Sequence, residues 1–416
     1  MKKLLLILSA LVMLSCEAEI GVVGIPDIGD SGLLSEADSI PGNVKGLLDG
    51  IYYVREGKTE IGDTVIFKWN KDNLTIFTNK NEKYIVLKGG ILGSVLIFEG
   101  FWRYARGSNT GFVQFNIKKD EGSLDLIGGT FPKKLIVRGL FIRDKNSFDA
   151  DDKEHAAITL EYIRPINIKK PFWIIAHRGG GRNVDRLPHS ENSVEIIKYA
   201  ERVGANAIEI DVKRTKDNIP ILYHDDKFST RLINGEYLIG EVARYTLAQI
   251  RTFGTLKNGE KIPTLIEALD AAIYDTDLKL IWLDVKSKGL VELIVPIQTE
   301  YMAKAVAVGR EMEIIIGMPS ELVYDELMDM VDYLNIPSLC ELSTDETEKS
   351  GSLIWAPRWS LGTQKAKVDK MHSLGKRCFV WTLDQPEFMD PFFDDVEFDG
   401  ILSNHPSVVA YEYYIR

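Results

Sequence analysis

Within a few dozen residues the chain places His177-Arg178-Gly179-Gly180, Glu191-Asn192-Ser193, Glu209-Ile210-Asp211 and His224-Asp225. Ala207 to Val212 alternates as a strand does, and residues two apart on a strand point the same way, so Glu209 and Asp211 share a face. Two carboxylates a few ångströms apart repel by roughly several kcal/mol at an effective dielectric of ~20. Both stay ionised only beside a cation; otherwise one takes up a proton. A bound divalent ion is the economical explanation. His177 and His224 add what hydrolysis still needs, because with an unperturbed pKa of about 6.5 one imidazole can accept a proton while another donates one. Together these residues read as a site for metal-assisted phosphodiester cleavage.

The elements that must carry them lie in a chain of 416 residues with net charge −11. That length favours two domains over one, and the charge argues against a general nucleic-acid surface, which demands clustered Lys and Arg. An anionic substrate must therefore be held locally. Met1-Lys2-Lys3, the apolar run Leu4 to Leu14 and Ser15-Cys16 have the charged start, short hydrophobic stretch and small residue of an export signal. The run is too short to span a bilayer comfortably. A cysteine placed after Leu14-Ser15 resembles a bacterial lipoprotein box, which implies that residues 1–16 end in a lipidated Cys16 tethered to a membrane, facing the periplasm or the cell exterior. An ordinary secretory signal is the alternative. Residues 17–45, with Gly, Pro, Ser and acidic residues, are expected to form a flexible tether. Cys340 and Cys378 sit in apolar stretches and are expected to be buried, reduced thiols.

Residues 46–168 run in short β-rich pieces punctuated by Gly, Asn and Asp, including Gly50 to Val54, Thr64 to Trp69, Lys83 to Leu87, Ser94 to Phe98, Gly111 to Phe115, Leu135 to Gly139 and Ala157 to Leu160. This spacing predicts an all-β antiparallel sandwich or small barrel. Its aromatics Trp69, Phe101 and Trp102 are expected to pack a core, with a ligand pocket as the alternative. In residues 169–416 apolar strands alternate with helical periods, predicting a parallel sheet. Strand candidates begin at Phe172, Asn206, Leu278, Glu313, Pro337, Leu353, Arg377 and Gly400, the number of a (β/α)8 barrel. Pro220 to Tyr223 follows Asp211 too closely for a helical crossover and is expected to be a hairpin partner. Helices are expected near 193–203, 263–274, 291–307, 321–334 and 364–374. Catalytic groups of such barrels emerge at the C-terminal strand ends, where His177, Glu209, Asp211, Asp284 and Trp381 fall.

From Pro171 to Tyr411 the chain resembles the glycerophosphodiester phosphodiesterase family. Ile174-Ile175-Ala176-His177-Arg178-Gly179 looks like its opening strand, Ser190-Glu191-Asn192-Ser193 like its Pro-Glu-Asn-Thr element, and Ala207 to Val212 like its metal-binding strand. Pro220 to Asp225 follows as the second histidine element. Pro263-Thr264-Leu265-Ile266-Glu267 is similar to a family helix start, Asp284-Val285-Lys286 to its Glu-x-Lys strand, and Val380-Trp381-Thr382-Leu383 and Asp399-Gly400-Ile401-Leu402-Ser403 complete the order. The resemblance implies a TIM barrel that hydrolyses a glycerophosphodiester to glycerol 3-phosphate and an alcohol with a divalent cation and two histidines. Glu209 and Asp211 would be metal ligands, and Asp284, where the family usually has Glu, a third ligand shorter by one methylene. Asn404 stands where Asp is common, at what is read as a peripheral contact.

Each residue also has a plainer reading. Arg178 can grip phosphate oxygens bidentately or serve a structural salt bridge. Glu191 is expected to be associated with the substrate site, ligating metal or orienting Arg178, against a role as a first-turn helix acid. Oxygen-only donors favour Mg²⁺ or Ca²⁺ over Zn²⁺. Lys286 is expected to add positive charge at the phosphate, and Trp381 to wall the pocket against glycerol carbons or else to pack in the core. His189 is a minor suspect; His155, His372 and His405 are left out. His177 takes the base role and His224 the acid role, with water or the glycerol 2-hydroxyl as nucleophile. Two other functions compete: a phospholipid or lysophospholipid phosphodiesterase on the same barrel, and a lipoprotein that binds a glycan or lipid headgroup without cleaving it.

Overall fold

A computed structural model describes residues 24–26, 33–143 and 155–416. The expected export signal and Cys16 lie outside the described residues. The first domain contains β1 (Asp38–Ser39), β2 (Gly50–Glu56), β3 (Thr64–Asn70), β4 (Asn73–Thr78), β5 (Lys83–Leu92), β6 (Val95–Tyr104), β7 (Thr110–Ile117), β8 (Ile136–Ile142) and β9 (His155–Arg164). From β2 onward each strand pairs antiparallel with the next, and β9 pairs back with β2, so the meander closes into an eight-stranded barrel with β1 added beside β5. Closure leaves no exposed sheet edge, which resolves the choice between sandwich and barrel. Gly100 is needed on β6 because a Cβ there would sit 1.9 Å from the Val86 carbonyl oxygen.

Strand alternation sorts the barrel's aromatics. Tyr52, Phe67, Trp69, Phe98, Trp102, Phe115 and Phe141 belong to the packed interior, as the core reading expects. Phe101, one residue from Trp102, points out of the barrel instead. The expected tether is corrected over its described residues 33–45. Asp38–Ser39 joins the sheet, and Gly42–Leu48 is a helix whose Val44 and Leu48 are buried in the barrel core. The Gly, Pro and acidic content of this stretch masks three apolar residues, Ile40, Val44 and Leu48, spaced four apart to bury one stripe.

The second domain contains β10 (Trp173–Ala176), β11 (Ala207–Arg214), β12 (Pro220–Leu222), β13 (Ile233–Asn234), β14 (Thr255–Leu256), β15 (Leu280–Val285), β16 (Glu313–Met318), β17 (Ser338–Cys340), β18 (Ile354–Trp355), β19 (Arg377–Val380) and β20 (Gly400–Ser403). Eight of these, β10, β11 and β15 to β20, pair in parallel and close on themselves, and each begins within two residues of its expected start. β12 returns antiparallel along the end of β11, as its short spacing requires. The helix Val291–Ala307 has its expected bounds, whereas Glu321–Met328 stops six residues before the expected Leu334. Cys340 and Cys378 are buried and unbridged. Among the described residues no helix is long and apolar enough to cross a membrane.

One apolar cluster belongs to both domains. Ile51, Ile66, Phe77, Tyr84 and Phe101 from the outer face of the β barrel pack with Ile196, Tyr199, Val203, Val409, Ala410 and Tyr411. Inside it the Tyr84 and Tyr199 hydroxyls meet at 3.0 Å, satisfying two polar groups that burial would otherwise strand.

Candidate active site

Alternation along the parallel strands builds the site. Ile175, Ala207, Trp282, Leu339, Phe379 and Leu402 form an apolar layer inside the barrel. Side chains two residues further on share their inward direction and surface one layer higher, at the C-terminal rim. Those positions are His177, Glu209, Asp284, Glu341, Trp381 and Asn404; Asp211 follows Glu209 by another two. The register places Asp211 directly beside Asp284 on the neighbouring strand.

Ligand oxygens of Glu209, Asp211 and Asp284 lie within 4.8 Å of one another. Each carboxylate also has one buried oxygen, Oε1 of Glu209 and Oδ1 of Asp211 and Asp284, with no hydrogen-bond partner. Three carboxylates this close, each with an oxygen that makes no hydrogen bond, fit a hard divalent cation. Burial first, then Asp211 and Asp284, pushes the Glu209 carboxyl well above its ordinary range. Burial likewise raises Asp284. Asp211 goes the other way: burial raises it, but Lys286, His224, Arg178 and His177 together outweigh that and hold it low. Lys286 contacts Asp284 and lies 3.4 Å from Asp211; burial would discharge its ammonium, but the surrounding carboxylates raise its pKa.

His177 and Arg178 enter through a strained turn. Arg178 has φ 53° and Gly179 φ 83°, left-handed values that a side chain tolerates poorly, and a Cβ on Gly179 would come 2.9 Å from Ile196. The turn aims the Arg178 backbone N–H at Glu209 Oε2, 2.8 Å away. Burial, followed by the neighbouring Arg178 charge, lowers the His177 pKa to about 4, so the ring is neutral near pH 7. Its Nδ1 lies 2.7 Å from Asn404 Oδ1, while the Asn404 amide nitrogen donates to Asp384 at 2.7 Å. An ionised Asp384 can only accept, so the Asn404 oxygen faces His177, Nδ1 carries the proton and Nε2 presents its lone pair, 3.8 Å from Glu209. The contact at Asn404, read from sequence as peripheral, therefore touches the histidine itself.

His224 Nδ1 lies 2.7 Å from Asp225 Oδ1, and Ser229 and Arg231 hold that carboxylate. The charges of both imidazoles bear on Asp211. Of the roles expected for Glu191, its contacts match the orienting of Arg178, which donates to one of its oxygens at 2.6 Å while the Asn183 N–H donates to the other at 2.8 Å. The Nε of Arg178 is left without a hydrogen-bond partner, 3.7 Å from Asp211. Trp381 is half-buried on the rim, its indole N–H bound to the Ala356 carbonyl and Arg358 stacked 4.8 Å over its ring.

Sequence reasoning missed four participants. Asn192 clasps Asp211 twice, at 2.8 and 3.0 Å, although its motif was recognised. Glu341 was findable, since it follows the inward Leu339 by two; burial and then Asp284 push its carboxyl well up, and its Oε1 has no partner. Arg358 was findable too, since it follows the inward Ile354 and Ala356 by two and bridges in parallel to Trp381, whereas Asp384 comes from an irregular loop and carries no local signal. His189 leans on Glu260 and Tyr199, outside the cluster. A second group, His372, Cys378 and Asp399, could also gather around a metal. It is satisfied without one: Asp399 Oδ2 already receives His372 and the Cys378 N–H, both at 2.8 Å.

A closed parallel (β/α)8 barrel with acid, base and cation-competent groups on the C-terminal rim is an α/β-barrel enzyme. Residues 177–356 match the glycerophosphoryl diester phosphodiesterase family. The glycerophosphodiester phosphodiesterase of Caldanaerobacter subterraneus subsp. tengcongensis is 30% identical over 248 residues, covering 57% of this chain and 95% of that protein. Human glycerophosphodiester phosphodiesterase 1 is 34% identical over 117 residues, 26% of this chain and 33% of its own length. Among solved structures, an Oleispira antarctica phosphodiesterase in complex with the product sn-glycerol-3-phosphate aligns with TM-score 0.47 and 20% identity, over 57% of this chain and 95% of that one. The chain belongs to the glycerophosphodiester phosphodiesterase family and is an enzyme of that type.

Proposed function

We propose that the chain hydrolyses a glycerophosphodiester to glycerol 3-phosphate and an alcohol, with a divalent cation held by Glu209, Asp211 and Asp284. The observation that carries this reading is the gathering of three buried carboxylates, each with an orphaned oxygen, beside His177 on the strand ends. A bound cation would polarise the phosphoryl group and offset charge on its oxygens. Arg178, through its unpartnered Nε, and Lys286 bind the phosphate and stabilise the charge that builds during attack. His177 Nε2 takes the proton of the nucleophile, a role its neutral, Nδ1-protonated form suits. His224 protonates the leaving oxygen from Nε2, with Asp225 holding the opposite nitrogen and balancing the charge. Trp381 walls the glycerol side. The oxygen donors suit Mg²⁺ or Ca²⁺.

The test is cleavage, with and without EDTA, of glycerophosphoethanolamine and glycerophosphoinositol, read as glycerol 3-phosphate, and of lysophospholipid, read as its acylated glycerol 3-phosphate. Cleavage that survives exhaustive chelation refutes the cation; preference for the lysophospholipid moves the substrate to the lipid class. Anchoring through a lipidated Cys16, on the periplasmic or outer face of a membrane, is proposed from Leu14-Ser15-Cys16. An unmodified Cys16 in the mature N-terminal peptide mass would exclude it.

A further inference from the structure

We propose that the β-barrel domain is a working part of the catalytic site: its β6–β7 hairpin holds the loop that orients His177. This rests on His177 acting in the reaction as described above. Two arginines of the hairpin reach the second domain. Arg103 leaves β6 on the barrel's outer face and is 0% exposed. One of its nitrogens donates both to the Gly107 carbonyl of its own turn, at 2.9 Å, and to the Arg186 carbonyl, in the loop between His177 and Glu191. Arg106, at the hairpin tip, donates to the Asp384 carbonyl at 2.7 Å while Glu82 of the same barrel holds its Nε at 2.8 Å. An ion pair thus keeps the guanidinium beside a carboxylate of its own domain.

Asp384 is where this matters. It lies in irregular chain after β19, one residue beyond the Leu383 N–H that bonds the Leu402 carbonyl of β20 at 2.9 Å. Its carboxylate accepts from Ser403 Oγ at 2.9 Å and from the Asn404 N–H and amide at 2.8 and 2.7 Å, and Asn404 in turn faces His177 Nδ1. Arg106 is therefore linked to the imidazole through one residue of backbone and two side-chain hydrogen bonds. A site carried on loops is only as well placed as the groups that brace it. Here the brace comes from the other domain, and Ala105 and Leu187 pack in the shared apolar cluster beside it. The plainer alternative is that Arg106 only docks two domains. Its side chain is 42% exposed, so removing it costs little stability, and the two readings separate cleanly.

The experiment uses the full chain, its Arg106→Ala and Arg106→Lys variants, and three measurements: kcat and KM on a glycerophosphodiester at saturating Mg²⁺ or Ca²⁺, the thermal unfolding midpoint, and the side-chain ¹⁵N spectrum of selectively labelled histidine. The His177 signal is assigned by its loss in His177→Gln. A positioning role predicts that Arg106→Ala lowers kcat by roughly 3- to 30-fold with KM and midpoint held. Arg106→Lys recovers part of the rate, and the Nδ1-protonated signature of His177 gives way to a tautomer mixture. An unchanged His177 spectrum, whether kcat holds or falls together with the midpoint, overturns the proposal. Should the wild-type chain cleave no diester, the hydrolase reading fails, and the histidine spectrum alone still decides whether the hairpin positions the ring.

Discussion

His177 and His224 are alike in sequence and differ by partner: an amide oxygen on one Nδ1, a carboxylate on the other. That difference in partner is what suits one to the base role and the other to the acid role in the proposed mechanism. Replacing either with Ala is expected to lower kcat by roughly 10²- to 10⁴-fold while calorimetric cation titration gives an unchanged affinity; full activity in either variant would remove it from the mechanism. The carboxylates carry a pH signature. The Glu209 pKa is raised above its ordinary 4.5, so its stabilising protonation is complete below that value and is lost as pH rises through the folded pKa. A cation replaces that proton. The rise in unfolding midpoint on adding Mg²⁺ or Ca²⁺ should therefore be larger at about pH 8 than at about pH 5, and a rise independent of pH would mean that Glu209 is not a ligand. The acidic pair and the histidines were legible because type and spacing announce them. Asn404 was undervalued because its partner lies 227 positions away, at His177.

At the scale of elements, one rule accounts for most of the site: on a parallel strand whose inward residue is apolar, the next inward residue reaches the rim. Applied to β17 and β20 it would have found Glu341 and corrected Asn404 from sequence alone. Not every family motif is chemical. Thr264 and Glu267 form a reciprocal capping box that starts the helix Leu265–Asp275, with the Thr264 N–H 2.8 Å from Glu267. Thr264→Ala is expected to cost about 1 kcal/mol of stability by denaturant titration and to leave kcat/KM unchanged; a large loss of activity would give this motif a role beyond capping. Applied to β18, where Ile354 and Ala356 point inward, it would also have reached Arg358; Asp384, placed by a loop with no period, could not be reached this way.

For the whole molecule, the decisive feature is an apolar core that belongs to neither domain alone. Calorimetry of the full chain should show one cooperative unfolding transition, because melting either barrel exposes Phe77, Tyr84, Tyr199 and Tyr411 to water. Two well-separated transitions would show that the domains are energetically independent, and would weaken the case for a hairpin that braces the catalytic loop.

By itself the sequence determined what local physics encodes: eight strand starts, the shared face of Glu209 and Asp211, and the identity of the groups able to move protons and hold a cation. Alternation and helical period act over a few residues and survive in a linear string. Only the tertiary structure decided which oxygens are left unpartnered, which nitrogen of His177 bears the proton, and that a β-barrel domain reaches the loop behind it. Those outcomes depend on burial and on contacts between residues far apart in the chain, and no short stretch of sequence records who its distant neighbours are.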